Sequence, residues 1–318
     1  MVGKLTWYRA TSGIICALMD HPKYFDKIQC LKRAIDEKNG IVKEQTPQTN
    51  RQRTGDLLEP ILIQEVANRL GLTNVRSDID SKIEHSMLPL EASLDGLAEA
   101  KDIVVKENVD KGIYLPTATK LKLNGTIPIE VKVSSEFPHI APPEWLGVLQ
   151  LFSSMEILEA EYGVLIVLYG ADLRTFVYQR QADFAQKLKE VVLDFDRRVD
   201  EEDWYIPENT EQAYTIFDKA TDEEQTLLLD EDTVQDIDQY LTLKGVAKQA
   251  EETADLLMTS IMCAMGNHSK GRSEDYKVDW GVRNYKATEE RVIPAKEARS
   301  IRLKTPKITR INRSKNET

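Results

Sequence analysis

The stretch IPIEVKVSS, residues 127–135, offers an acid and a base on one face of one strand. Ile127, Ile129, Val131 and Val133 alternate with Pro128, Glu130, Lys132 and Ser134, a period of two that predicts a β-strand with one apolar face. Glu130 and Lys132 then share the opposite face. A carboxylate can hold a divalent cation, and an ammonium beside it can orient or deprotonate a water. The same spacing also describes the wet side of an ordinary half-buried strand, so the rest of the chain has to decide.

Three further residues belong to the same stretch of the argument. Asp95 in SLDGL follows an apolar alternation and is expected to end a strand paired with 127–133, which would bring its carboxylate beside Glu130. Facing carboxylates repel unless a cation stands between them, and carboxylate oxygens with water suit Mg²⁺. The plain alternative for Asp-Gly is a turn. Glu59 in GDLLEP is expected at a helix start, where the helix dipole favours an acid with or without a task. Gln150 in EWLGVLQ falls on a helix, and the local pattern alone makes it a surface residue.

The elements that must position these residues follow from periodicity and punctuation. Thr11 or Ser12 caps a short helix ending before His21-Pro22, and a second helix runs from Pro22 to about Lys38. Residues 41–54 read as a polar loop. A helix over 54–72 carries Leu58, Leu62, Val66 and Leu70, with Gly71 as its C-cap. Strands follow over 87–100 and 103–133, with a polar insertion around 106–118 and a hairpin at Asn124-Gly125. Residues 141–163 form a helix introduced by Pro142 and Pro143, 164–180 a hairpin turning at Gly170-Ala171-Asp172, and 181–199 an amphipathic helix. Residues 200–232 are acidic and aperiodic. A long helix runs from about Val234 to Met265, capped by Thr233 with Asp236; a strand over 276–286 and a short one at ARSIRLK follow.

The chain has 318 residues, 41% hydrophobic and 30% charged, enough for a sizeable core. No apolar run approaches the ~20 residues of a membrane span, and GIICALM, ending in Asp20, is not expected to be a signal peptide. Cys16, Cys30 and Cys263 are far apart and odd in number. They fit neither a disulfide framework nor a four-thiolate metal site, and point to a reducing cytoplasm. Net charge is −11, but it is unevenly spread. Residues 1–54 carry ten basic and five acidic side chains, 268–318 fourteen and seven, and the middle 18 and 41. Basic ends on an acidic body are either soluble tails or the footprint of phosphate contacts.

Taken in order, GDLLEP (55–60), EASLDG (91–96), PIEVKVSS (128–135) and PPEWLGVLQ (142–150) resemble the PD-(D/E)XK nucleases, and within them the lambda-exonuclease and YqaJ-type viral recombinase family. RATSGIICALM is similar to that family's Ser-bearing N-terminal helix, and Ser154, where RecB-like nucleases have Tyr, agrees with this branch. The clear part of the resemblance spans about 9–204.

It implies an α/β fold, a mixed central β-sheet flanked by helices with a C-terminal helical extension and basic tail. The expected division is a nuclease core over 1–204, an acidic connecting segment over 205–232, and a helix, short strands and tail over 233–318. The resemblance further implies a Mg²⁺-dependent exonuclease, with Mn²⁺ as a substitute. It would digest linear double-stranded DNA 5′→3′ and leave 3′ overhangs for phage-type recombination.

On this reading Glu59, Asp95, Glu130, Lys132 and Gln150 are catalytic, and Glu59, Asp95, Glu130 and the Val131 carbonyl hold metal. Arg9 and Ser12 anchor a 5′-phosphate. Partners would be duplex DNA ends, further copies of the chain in a trimer and a single-strand annealing protein, in the host cytoplasm and with no membrane. Two alternatives stay open: a non-catalytic DNA-end-binding or assembly protein on the same scaffold, and a restriction-type endonuclease.

Overall fold

The structure is a computed structural model and describes residues 9–41, 47–77, 79, 82–217, 228–285, 299–302 and 307–310. The chain divides into two compact units at residue 221/222, inside the expected connecting segment.

The first unit opens with β1 (Ala10–Thr11), α1 (Ile15–Leu18) and α2 (Lys27–Lys38). Neither Thr11 nor Ser12 caps α1: Thr11 is in β1, and the helix starts after Ile14 without a side-chain cap. The second helix begins at Lys27 rather than Pro22, because Asp26 and Gln29 form a reciprocal capping box. The third, α3 (Asn50–Leu70), starts earlier than expected for the same reason: Thr49 and Gln52 cap one another, and Gly71 closes the helix at φ +75°. Residues 42–46 of the expected loop lie outside the described residues.

Then come β2 (Thr73–Arg76), β3 (Ile83–Glu84), β4 (Leu90–Ala92), β5 (Gly96–Lys106), β6 (Ile113–Tyr114), β7 (Lys120–Ser134), α4 (Leu149–Ile157), β8 (Tyr162–Tyr169), β9 (Asp172–Gln179), α5 (Ala182–Glu201) and α6 (Thr210–Ile216). The hairpin expected at Asn124-Gly125 is absent, since β7 runs straight through it. The strand accommodates Gly125 at φ +83°, opposite Ala100, where the β5–β7 ladder shifts register. The chain reverses instead through residues 107–119, so the polar insertion is the hairpin connection.

A mixed six-stranded sheet, in the order β2-β5-β7-β8-β9-β6, forms the centre. The pairs β7–β8 and β9–β6 are parallel and the others antiparallel. On one face α3 lays Leu62, Ile63, Val66, Ala67 and Leu70 against Ile127, Ile129, Val131, Val164 and Ile166. On the other, α1, α2, α4 and α5 cover Leu165, Val167, Tyr169, Phe176 and Tyr178. The result is an α/β sandwich with the apolar face of β7 turned to α3, as its alternation requires. A small second sheet, β1-β4-β3, holds the segment leading into Asp95.

The second unit contains α7 (Glu231–Met265), β10 (Lys270–Arg272), β11 (Tyr276–Asp279), β12 (Val282–Tyr285), β13 (Arg299–Arg302) and β14 (Lys307–Arg310). Its long helix is capped by Asp230, whose carboxylate accepts from the Thr233 N–H at 2.8 Å, rather than by Thr233 itself. The strand expected over 276–286 is split at Trp280-Gly281, and ARSIRLK contains β13. Much of the basic tail lies outside the described residues.

Candidate active site

Glu130 is 1% exposed. The polar face of β7, exposed at Lys120, Lys122 and Asn124, is therefore closed to solvent at Glu130 and partly open at Lys132. In the ladder Glu130 stands opposite Leu165 and Lys132 opposite Val167, on the side covered by α1 and α4. Lys132 Nζ donates to Glu130 Oε1.

Asp95 does not end a strand, as its sequence context suggests. It lies in the short link between β4 and β5, and β5 starts at the next residue, Gly96, opposite Ile129. The Asp95 carboxylate turns back onto the active-site strand, where its Oδ2 accepts from the Val131 N–H at 2.8 Å. The adjoining glycine is a packing requirement: a Cβ on Gly96 would stand 2.9 Å from Ile63 Cδ1 of α3. Asp-Gly is thus a carboxylate anchored at a strand start beside a close helix–strand contact.

Glu59 is not at a helix start either. It is the tenth residue of α3, beyond the first turn, and Pro60 lies inside the helix. Its position owes nothing to the helix dipole, which acts within the terminal turn. Asp56, three residues earlier, shares its side of the helix.

The charges confirm that these groups feel one another. Burial pushes the Glu130 carboxyl up to about 8, with Asp95 adding to the rise and Lys132 opposing it. Burial also raises Asp95, against the pull of Lys132 and the Val131 N–H. Glu59 is pushed up to about 7 by burial and then by Asp95 and Asp56. Burial disfavours the Lys132 charge, but Glu130 and Asp95 outweigh it and its pKa is raised. One ammonium faces Glu130, Asp95 and Glu59, with Asp56 acting on the last two, so the cluster carries surplus negative charge once they ionise. Cys16 of α1 lies in the same field, its thiol pushed up to about 11 by burial, with Lys132 pulling it down and Glu130 adding to the rise.

The helix expected over 141–163 is broken at this point. Residues Glu144–Val148 form a wide turn in which Leu146 and Gly147 leave helical geometry, and α4 begins only at Leu149. Gly147 has φ +93°, and a Cβ there would meet Leu165 Cδ1 at 2.9 Å and Lys132 Cε at 3.1 Å. The bare glycine backbone is what stands against the Lys132 stem. Gln150 is half-buried in the first turn of α4; its carbonyl accepts from Ser154 Oγ at 3.1 Å, and its side-chain amide makes no hydrogen bond among the described residues.

Arg9 and Ser12 belong to the small sheet. Arg9 Nη1 lies 3.6 Å from Glu84 Oε2 and 3.9 Å from Glu91 Oε1. The Ser12 N–H donates to the Glu91 carbonyl, and the buried Ser12 Oγ has no hydrogen-bond partner among the described residues. The structure thus brings Glu59, Asp95, Glu130 and Lys132 together and sets Arg9 and Ser12 in a neighbourhood of their own.

Three members of the site carry no signal that the motifs pick out: Asp56, Cys16 and Gly147. Helical spacing from Glu59 could have found Asp56. A glycine inside an apolar helical pattern reads only as a helix weakened by about 1 kcal/mol, so Gly147 had none.

Among the described residues no three His, Cys, Asp or Glu side chains stand close enough to hold a metal ion between them. The donor chemistry nonetheless fits Mg²⁺, which binds through one or two carboxylates, keeps several waters and takes the rest of its shell from phosphate. Asp95 and Glu130, in hydrogen-bond contact and both reluctant to ionise, supply that pair.

No protein-family model matches the sequence. No curated protein matches it either. Among solved structures, the chain is similar to the alkaline exonuclease LHK-Exo from Laribacter hongkongensis, at 14% identity over 62% of this chain and 90% of that one, with a TM-score of 0.46. It is also similar to a phage-related exonuclease from Haemophilus somnus, at 12% identity over 61% of this chain and 94% of that one, with a TM-score of 0.39.

Proposed function

We propose that this chain is a metal-dependent deoxyribonuclease that hydrolyses phosphodiester bonds of linear double-stranded DNA from its ends. The observation that carries this reading is the burial of Glu130 against Lys132 with Asp95 alongside. Burying the Glu130 carboxyl, with Asp95 half-buried and Lys132 about a third exposed beside it, costs stability where an aliphatic side chain would pack, and a cluster of this kind is a candidate site for a charged ligand.

Asp95, Glu130 and the Val131 carbonyl would hold Mg²⁺, or Mn²⁺ in its place, with Glu59 on a second ion, since the three carboxyls do not stand close enough to share one. The ion, when bound, neutralises charge on the phosphate oxygens and lowers the pKa of a water. The chain's own groups do the rest. Lys132 enters the cycle protonated, because Glu130 and Asp95 raise its pKa. Its ammonium orients the attacking water and faces the charge that develops on the phosphate, and it serves as a base only after the carboxylates have been drawn to another cation. Gly147 keeps the stem of Lys132 in line, and the Val131 N–H fixes the orientation of the Asp95 carboxylate through its Oδ2.

The resemblance of the four motifs extends the proposal to 5′→3′ polarity, 3′ overhangs for phage-type recombination, a closed trimer and a single-strand annealing partner. Arg9 and Ser12 would receive the 5′-phosphate. The unpartnered Ser12 hydroxyl supports this, while the carboxylates at Arg9 oppose it. A DNA-end-binding protein without catalysis would gain affinity by losing carboxylates near phosphates, and this chain keeps four. Incubating linear and closed-circular duplex with and without Mg²⁺ separates the readings. An exonuclease degrades only the linear form and only with the ion. An endonuclease nicks both, and a binding protein leaves both intact.

A further inference from the structure

The second unit presents a helix of 35 residues whose side chains are exposed almost all round. Tyr240, Leu243 and Leu257 of α7 are each about three-fifths exposed, which is costly for apolar side chains in water. Leu241, Val246 and Leu256 are comparably exposed and lie off their line, but Tyr240, Leu243 and Leu257 belong to one series. Tyr240, Leu243, Ala247, Ala250, Ala254, Leu257, Ile261 and Ala264 follow one another at alternating steps of three and four, an unbroken heptad seam. Lys244 and Glu251 flank that seam at equivalent heptad positions, one after Leu243 and one after Ala250. They are the charged residues nearest the seam, and among the described residues neither forms an ion pair.

The spacing of these two charges selects an occupant. In a parallel pair of α7 helices the flanking position faces the residue before the seam on its partner. Lys244 would then face Gln239 and Glu251 would face Val246, leaving both charges unmatched. In an antiparallel pair equivalent flanking positions face one another, so Lys244 of one copy meets Glu251 of the other, and a two-fold axis makes the contact twice. Sliding the antiparallel pair by one heptad in either direction sets Lys244 against Lys244 or Glu251 against Glu251.

The register that matches charge also matches volume. It sets Tyr240 against Leu257, Leu243 against Ala254 and Ala247 against Ala250, then repeats these in reverse. Tyr240 packs on Leu257, Leu243 meets the smaller Ala254, and alanine meets alanine at the axis, where the helices can approach closely; beyond this stretch Ile261 and Ala264 fall opposite Asp236 and Thr233.

We propose that α7 is a self-association surface that pairs antiparallel with α7 of a second copy of this chain, in the register fixed by Lys244 and Glu251. The contact is two-fold, so it doubles whatever assembly the first unit forms: a monomer becomes a dimer, a trimer a pair of trimers.

Sedimentation of the full chain across micromolar concentrations, with single and double charge reversals, tests this. Lys244→Glu alone and Glu251→Lys alone each create two like-charge contacts, and each is expected to weaken the doubling step roughly tenfold. Lys244→Glu combined with Glu251→Lys restores opposite charges and is expected to restore the doubled mass. Because both side chains are exposed, helix content by circular dichroism should stay unchanged throughout. The proposal is overturned if wild type shows no doubling step, if neither single reversal alters it, or if the double reversal fails to recover what the singles lose.

Discussion

A Cβ on residue 147 would lie 3.1 Å from Cε and 3.2 Å from Cγ of Lys132, so the backbone of Gly147 is packed directly along the stem of the site's ammonium. The wide turn before α4 exists at this contact: Leu146 and Gly147 depart from helical geometry, and φ +93° at Gly147 is a conformation that side chains with a Cβ rarely adopt.

Gly147→Ala is therefore expected to act twice. It strains the backbone and displaces Lys132 from Glu130. Nuclease turnover should fall at least about 10²-fold, as for a misplaced catalytic group, while the melting temperature falls by only a few degrees. A variant melting a few degrees lower with wild-type turnover would show that the position of the Lys132 stem is irrelevant to the chemistry.

The raised carboxyl pKa values give a pH signature with a definite sign. A carboxyl raised from its unfolded value near 4.5 to about 8, as at Glu130, holds a proton in the folded state that the unfolded chain has lost. Its contribution to stability is full below about pH 4.5 and declines as pH rises toward 8. In a chelator, Glu130→Gln should therefore gain in melting temperature over wild type between pH 5 and 8, and the gain should shrink when Mg²⁺ is added. A difference between the two proteins that stays flat with pH would mean that Glu130 is not held reluctant to ionise.

Asp56→Asn removes a charge that raises both Glu59 and Asp95. Those groups then ionise more easily, but the site loses attraction for a cation. Titration calorimetry with Mg²⁺ or Mn²⁺ should show affinity reduced by roughly tenfold, the scale of a group acting from outside the ligand set. Unchanged affinity would remove Asp56 from the site.

The legible part of the fold was what hydrophobic periodicity controls. The alternation of 127–133, the leucine spacing of α3, the β8–β9 hairpin at Gly170 and the amphipathic α5 all appear as their patterns require. Tertiary contacts decided the rest. Asn124-Gly125 lies within β7 because the long β5 ladder continues past it, and the helix after Pro143 breaks because Lys132 occupies the space a side chain at 147 would need. Asp95 and Glu59 sit in local frames other than those their sequence context predicts. Asp95 precedes a strand instead of ending one, and Glu59 is mid-helix instead of at a start. That Glu130 is buried could not be read from E-x-K at all, since burial depends on α1 and α4 covering that face.

One comparison decides whether Glu130 and Lys132 form the working centre of a DNA-end nuclease. Wild type, Glu130→Ala and Lys132→Ala are incubated with linear duplex and Mg²⁺, with folding checked by circular dichroism. Wild type is expected to release nucleotides while each folded variant is slowed by roughly 10²–10⁴-fold. Near-wild-type release by either folded variant would contradict that assignment.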